Sequence, residues 1–403
     1  MPIKGGIYLD SNAGAPLKPN VLEVLFPLLK RGETHSLIPN PSSIHSYGRV
    51  AKRWIALARE QVAHSLGAHT DPEQLVFVSS GTEANQLAIR SVLEPLLLSG
   101  KRPHWITTAV EHDSNLQMVD WVKARGGSVS ILPVDVQGQV SVEMLQESWK
   151  PETVLVSAVW VNNETGVISP IEAISSMVRK KGALLHLDAA QAWGKLPIDV
   201  AATGAHLISF SGHKIGALAG TGVLWVNRGI RIQPAQLGKQ EKGRRGGTEN
   251  VLGIVAMGAA ALQLDPLAWS KRVNPLRTRL EDAICQRILG AHINGGGALR
   301  VANTLNMGFD GVEGDSLVMA LDLAGYSVSS GSACSSGALE PSHVLMAMGR
   351  SKLEAMAGLR ISLADEMPWE DLEGFVRELE TIVSRVRNRK DENEKCREST
   401  LHR

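Results

Sequence analysis

Hydrophobic positions in this chain come in short β-rich runs separated by longer amphipathic stretches. Gln74-Leu-Val-Phe-Val78 is followed by a helical stretch over 82–98, by His104-Trp-Ile-Thr-Thr108, by a second helical stretch over 115–125 and by Val129-Ser-Ile-Leu132. The alternation continues through Thr153-Val-Leu-Val-Ser-Ala-Val-Trp-Val161, a helix over 171–181, Ala183-Leu-Leu-His-Leu187, His206-Leu-Ile-Ser-Phe210 and Gly222-Val-Leu-Trp-Val226. Strand and helix in turn predict an α/β fold with a mostly parallel sheet, whose ligand site lies at the carboxyl ends of the strands. Pro266, Pro275 and the long helix implied between them and Gly290 mark a change of domain. Beyond it, Asn303-Thr-Leu-Asn-Met-Gly-Phe309, Leu359-Arg-Ile-Ser-Leu363 and a helix from Trp369 to about Arg387 predict a smaller α+β unit. The expected division is a large domain over 15–262, a small one made of 1–14 and 263–388, and a polar tail over 389–403 that frays.

The 403 residues, 43% hydrophobic and 21% charged, exceed what one hydrophobic core usually holds, which agrees with two unequal domains. With 42 basic against 41 acidic side chains the net charge is +1, and no basic stripe interleaves with aromatics, so nucleic acid is not an expected partner. Cys285, Cys334 and Cys396 are scattered without pairing or metal spacing, which suits a reducing compartment and a cytoplasmic address. The N-terminal residues carry no apolar core of signal-peptide length. The run over 251–264 is too short and too rich in small residues to span a bilayer, so it is read as a buried helix and no membrane partner is expected.

Candidate chemistry collects where strands end. Ser79-Ser-Gly81-Thr82-Glu83 follows a strand and opens a helix, where backbone N–H groups and the Thr82 hydroxyl can hold a phosphate or merely cap the helix. Glu111-His112 follows the next strand. Its histidine lies over a cofactor ring and carries protons, or sits as an ordinary capping residue. Asn162-Asn163-Glu-Thr-Gly166 ends a third strand, as a set of ligand-binding amides or as a turn. Asp188 closes an apolar run, and a carboxylate there is costly to bury unless a cation such as a protonated pyridine nitrogen meets it. Gln191 follows three residues later. In Ser209-Phe-Ser211-Gly-His213-Lys214 a lysine stands just after a strand, where partial desolvation frees its amine for a Schiff base, with Ser211 and His213 near a phosphate. Lysine, acid and hydroxyls in this order are what a pyridoxal phosphate enzyme requires. Ser329-Ser-Gly-Ser-Ala-Cys334-Ser-Ser-Gly337 adds a lone cysteine in a Ser/Gly loop, read as a nucleophile.

These segments resemble the class V aminotransferase family of pyridoxal phosphate enzymes, most closely cysteine desulfurases of the NifS/IscS type. The likeness runs through Tyr8-Leu-Asp10, Asn40-Pro-Ser-Ser-Ile-His45, Ser80-Gly-Thr-Glu83, Glu111-His112, Asn162-Asn-Glu-Thr-Gly166, His186-Leu-Asp188-Ala-Ala-Gln191, Ser209 to Lys214, Arg245-Gly-Gly-Thr248, the Cys334 loop and Leu359-Arg360-Ile-Ser362. It implies the mostly parallel seven-stranded-type sheet of the fold type I transferases beside a smaller α+β domain. It implies Lys214 as the Schiff-base lysine, His112 stacked on the ring and moving protons, and Asp188 on the pyridine nitrogen. Gln191 and Asn163 are implied near the ring oxygen, with Asn163 also near the substrate. Gly81, Thr82, Ser211 and His213 are implied around the phosphate, with Thr248 reaching in from the other subunit of a homodimer. Arg360 is implied as the fork for the substrate carboxylate, and Cys334 as the acceptor of sulfur from L-cysteine, passing it as a persulfide to a further acceptor protein in iron–sulfur cluster assembly or tRNA thiolation. A selenocysteine lyase or a transaminase of the same fold is the neighbouring reading, and a noncatalytic sulfur-trafficking scaffold a more distant one.

Three segments depart from the family pattern. Ser11-Asn-Ala-Gly-Ala-Pro16 stands where a threonine-rich Ala-Ala-Thr-Thr-Pro is expected, Ile215-Gly-Ala-Leu-Ala-Gly-Thr-Gly222 lacks Gly-Pro-Lys-Gly, and Trp160 replaces a common histidine.

Overall fold

The computed structural model describes residues 6–30, 38–312, 314–330, 340–365 and 367–401, with side chains as far as 388. Cys334 and the side chain of Cys396 lie outside the described residues. Along the chain come β1 (Ile7–Tyr8), α1 (Pro19–Leu29), α2 (Ser46–Ser65), β2 (Leu75–Val78), α3 (Gly81–Leu98), β3 (His104–Thr108), α4 (Asp113–Lys123), β4 (Ser128–Leu132), α5 (Val142–Glu147), β5 (Thr153–Val159), α6 (Ile171–Lys181), β6 (Leu184–Asp188), β7 (Leu207–Ser211), β8 (Gly222–Val226) and α7 (Val251–Leu262). There follow α8 (Pro266–Arg287), β9 (Ala291–Ile293), β10 (Thr304–Phe309), α9 (Gly314–Leu323), β11 (Tyr326–Ser327), β12 (Ser329–Ser330), α10 (His343–Ala347), α11 (Lys352–Met356), β13 (Leu359–Ser362) and α12 (Trp369–Leu401).

Among the described residues the first set of strands forms a seven-stranded sheet in the order β2-β8-β7-β6-β5-β3-β4. The pairs from β7 through β6, β5 and β3 to β4 are parallel, and β8 is antiparallel to both of its neighbours. The strands read as continuous apolar runs because both faces are covered. Successive residues serve opposite sides: Ile106, Val156, Ile208 and Val223 pack with α1, α2, α6 and α7, whereas Trp105, Leu155, Leu207 and Leu224 pack with α3 and α4. The apolar run expected to be a buried helix is α7, buried along nearly its whole length. Among the described residues no single helix is long and apolar enough to cross a membrane.

A four-stranded antiparallel sheet, β12-β13-β10-β9, has its own core of Val273, Leu280, Ile284, Met307, Phe309, Ile361 and Phe375. The chain's first segment joins this core: Leu9 packs in it, and Asp10 bridges to Ser362. α12 continues to Leu401, past the end expected near Arg387. The charged run after 388 contains no proline or glycine to stop it.

Phe210 is fully buried on β7, edge-on to Trp193 with ring centroids 5.4 Å apart. Phe210→Ala is expected to lower stability by about 3–5 kcal/mol, read as a shifted midpoint in urea unfolding.

Candidate active site

The carboxyl ends of β5, β6 and β7 and the N-terminus of α3 surround a cavity of about 310 Å³. Its lining includes Gly81, Thr82, His112, Asn163, Asp188, Gln191, Ser211, His213, Lys214 and Arg360, so these sequence-predicted residues meet in one place. Thr248 does not. It is exposed on the turn before α7 and is no part of this chain's cavity wall. Cys334 lies outside the described residues, but Ser329, which precedes it on β12, pairs in register with Arg360 on β13.

At the entrance to α3, Ser80 caps the helix by accepting from the Glu83 N–H at 3.0 Å. The turn leaves no room for side chains. A Cβ on Gly81 would stand 3.2 Å from Ser211 Cβ, and one on Gly222 would stand 2.5 Å from the Ser80 carbonyl. The positive end of the helix is thereby pressed against the end of β7, beside Ser211 and His213, whose Oγ and Nδ1 are 3.0 Å apart. Burial, reinforced by the charges of Lys214 and His112, lowers the His213 pKa to about 4, so this ring is neutral.

Asp188 ends β6 with 4% exposure. Its Oδ2 accepts from Asn85 Nδ2 at 2.7 Å and its Oδ1 from the Ala190 N–H at 3.0 Å. His186, on the same strand, bonds Ser209 Oγ through Nε2 at 2.9 Å, and burial takes its pKa down to about 4. It lends Asp188 no charge. Among the described residues no cation pairs with Asp188, so the floor of the cavity is a buried acid that lacks a positive partner.

Arg360, in the same lining, is 2% exposed; its Nη2 donates to Asp10 Oδ1 at 2.8 Å and its Nη1 to the Asn163 carbonyl at 3.3 Å, while Nε has no partner among the described residues. The Lys214 amine donates to the carbonyls of Asn12 (2.6 Å) and Ala13 (2.9 Å). His112 caps α4, with Nδ1 accepting from the Ser114 N–H at 3.1 Å.

Three residues in or beside the cavity escaped the sequence reading. Asn85 lies one helical turn beyond Thr82, and that spacing was the available signal. Asn12 sits inside the first departing segment. Lys195 is four residues past Gln191 on a helical turn, and burial with the nearby charges of Lys214 and Arg360 holds its amine well below the ordinary lysine range.

Behind the cavity wall, Glu111 is fully buried and accepts from Thr108 Oγ1 (2.7 Å), the Val159 N–H (2.8 Å) and Asn115 Nδ2 (2.7 Å). Burial nonetheless pushes its pKa up to about 7, with the charge of Asp188 adding to the rise against these hydrogen bonds. Asn115 Oδ1, buried without a donor, can take the carboxyl proton if its amide turns. The folded protein then keeps a proton that the unfolded chain releases near about pH 4.3. The stability this contributes is complete below that value and is lost as pH rises toward about 7. The melting temperature of wild type relative to Glu111→Gln is therefore expected to fall across this window; parallel melting curves at all pH values would refute it.

The model of the family described as aminotransferase class-V matches residues 7–375. A cysteine desulfurase of Nostoc sp. is 40% identical over 384 residues, covering 94% of each chain. The cysteine desulfurase NifS of Azotobacter vinelandii is 37% identical, covering 95% of this chain and 94% of its own. Among solved structures, a NifS-like protein superposes with a TM-score of 0.86 at 32% identity, covering 94% of this chain and all of that one. A NifS-like protein from Rickettsia africae gives 0.84 at 31% identity, with the same coverage. With its sheet order, its cavity at the strand ends and these likenesses along nearly its whole length, the chain belongs to the class-V aminotransferase family, among the cysteine desulfurases.

Proposed function

We propose that the cavity removes sulfur from L-cysteine with pyridoxal phosphate bound, releasing L-alanine and leaving the sulfur on Cys334 as a persulfide for an acceptor protein. The observation that carries this reading is the convergence of Lys214, Asp188 and Arg360 on one buried cavity in a chain 40% identical to a cysteine desulfurase. A related solved structure, 30% identical with a TM-score of 0.77, is SspA in complex with cysteine.

The residues fit the cofactor. Asp188, buried without a cation, suits a protonated ring nitrogen, and the glycine-lined entrance of α3 with Thr82, Ser211 and His213 suits a phosphate. Gln191 and Asn163 would meet ring substituents, and Lys214 would be the covalent anchor. When bound, the cofactor supplies an electron sink for the amino acid skeleton.

The chain's own groups divide the remaining work. Arg360, fixed by Asp10, offers a planar fork to the substrate carboxylate, which a lysine could not imitate. The Lys214 amine, held at the Asn12 and Ala13 carbonyls, is the base for the Cα proton, and His112 passes protons at the cavity edge. Cys334 as thiolate attacks the substrate sulfur: an S–S bond forms as the C–S bond breaks, the β-carbon keeps the electron pair and takes a proton, and alanine leaves. Ser329, five residues before Cys334 in the sequence, pairs in register with Arg360, which supports the cysteine's access to the same substrate. The sulfur acceptor inferred for this chain is a protein of iron–sulfur cluster assembly or tRNA thiolation, the first supported by its likeness to proteins named NifS and IscS.

The reading extends to a homodimer in which Thr248 of each chain completes the other's phosphate site. Leu22 (52% exposed), Phe26 (69%), Ile44 (91%) and Tyr47 (54%) give α1 and the start of α2 an apolar surface that suits a second copy.

Purified protein given cysteine and a reductant is expected to yield alanine and sulfide in equal amounts. Cys334→Ser should keep the cofactor's visible absorption and release no sulfide, whereas Lys214→Ala should lose the absorption and the turnover together; unchanged turnover in either sinks its assignment. Phe26→Glu is expected to give monomers in sedimentation and to lose activity with them, and an active monomer would remove the second chain from the site.

A further inference from the structure

Lys195 has no place in the chemistry above, yet it is 7% exposed and forms no ion pair among the described residues. The charged groups that face it from the cofactor cavity are Lys214 and Arg360. On its other side a second cavity, of about 320 Å³, is bordered by Lys18, Asp265, Arg272 and Asp365, the last two paired at 2.8 Å. Instead of a carboxylate, its Nζ meets two side-chain amide oxygens, Asn12 Oδ1 at 2.6 Å and Gln191 Oε1.

A primary side-chain amide fits its density of neighbours in two orientations that exchange a donor for an acceptor. Nζ donates one hydrogen to each oxygen, and a donor in that place permits only one orientation of each amide. With Gln191 Oε1 turned to Lys195, Gln191 Nε2 is left to donate to the Asn12 carbonyl at 2.9 Å. With Asn12 Oδ1 turned the same way, Asn12 Nδ2 donates to the Asn163 carbonyl (3.1 Å) and Thr304 Oγ1 (2.9 Å). The Asn12 carbonyl is also the acceptor that holds the Lys214 amine at 2.6 Å.

We propose that Lys195 is a positioning residue: wedged between the side-chain oxygens of Asn12 and Gln191, it fixes both amides and thereby presents the Asn12 carbonyl to the Lys214 amine. The inference rests on the pyridoxal phosphate reading of the cavity. It concerns the place the lysine amine occupies before the cofactor is attached and whenever the two are not bonded, so its first readout needs no turnover.

Apoprotein is mixed with pyridoxal phosphate in a stopped-flow cell and the growth of the visible band is followed without cysteine. Lys195→Met is expected to slow loading about tenfold at unchanged final amplitude, and to lower kcat by a similar factor with KM within about threefold, as for a reacting group displaced by a fraction of an ångström. Lys195→Arg, donor-only and with the second cavity to expand into, should recover the loading rate to within about threefold. Gln191→Glu keeps an acceptor for Lys195 but loses the donor to the Asn12 carbonyl. It should slow loading as well, and serves where Lys195→Met does not fold. The double variant Lys195→Met with Gln191→Glu should fall short of the product of the two single effects, since both reach the Asn12 carbonyl. Wild-type loading rates in Lys195→Met or in Gln191→Glu, or single effects that multiply in the double variant, overturn the proposal. A wild type that forms no band overturns it together with the cofactor reading, whereas a wild type that loads but yields no alanine and sulfide overturns only the desulfurase reading.

Discussion

A buried carboxylate that no cation among the described residues meets is the constraint around which this structure is organised. Asp188 is 4% exposed, receives two neutral donors, and has beneath it a histidine that burial keeps uncharged. Removing an ionised acid from water costs several kcal/mol unless a positive partner or strong hydrogen bonds restore the loss. Two hydrogen bonds offset part of that, and a cation at the end of β6 would offset more. The features that converge there, from the entrance of α3 to the ends of β5 and β7, make sense as the walls of a site whose floor is this acid.

The second organising contact is the seam between the two sheets. Asp10 bridges to Ser362, accepts from Ser329 Oγ at 2.7 Å and holds Arg360 at 2.8 Å. Asn12, two residues on, reaches Asn163, Thr304, Asn303 and Lys195. A segment of a few residues therefore ties the arginine carried by the small sheet to the lysine carried by the large one. The distance between the group that would hold a substrate carboxylate and the amine that would take its proton is set by this tie, not by either sheet alone.

The large sheet was legible because each of its inner strands is apolar on both faces, which periodicity reads directly, and because Asp188 and Lys214 break those runs with charge. The antiparallel sense of β8 was legible but not drawn, since the ten residues between Ser211 and Gly222 are fewer than the crossover to a parallel strand requires. Asn85, Asn12 and Lys195 were missed for a different reason. Each is an ordinary polar residue in composition, and only its burial against a partner distant in sequence gives it meaning: Asn85 against Asp188, and Lys195 against Asn12. Thr248 could be assigned from resemblance, but nothing within one chain brings it to the cavity.

The departures from the family pattern are also better understood in space than in sequence. Ser11–Pro16 and Ile215–Gly222 lie against each other: the Ala15 N–H donates to the His213 carbonyl at 2.9 Å and the Lys18 N–H to the Gly216 carbonyl at 3.0 Å. Gly216 has φ of +81°, and a Cβ there would fall 2.6 Å from the Pro16 carbonyl oxygen, so the loop after the lysine needs glycine where the first segment passes. Two changes that look independent along the chain thus meet at one contact, which makes each a condition on the other. Trp160 packs its side chain with the large core, while its neighbours Val159 and Val161 line the cavity. The departures fall in the frame that carries Asn12 and Lys214.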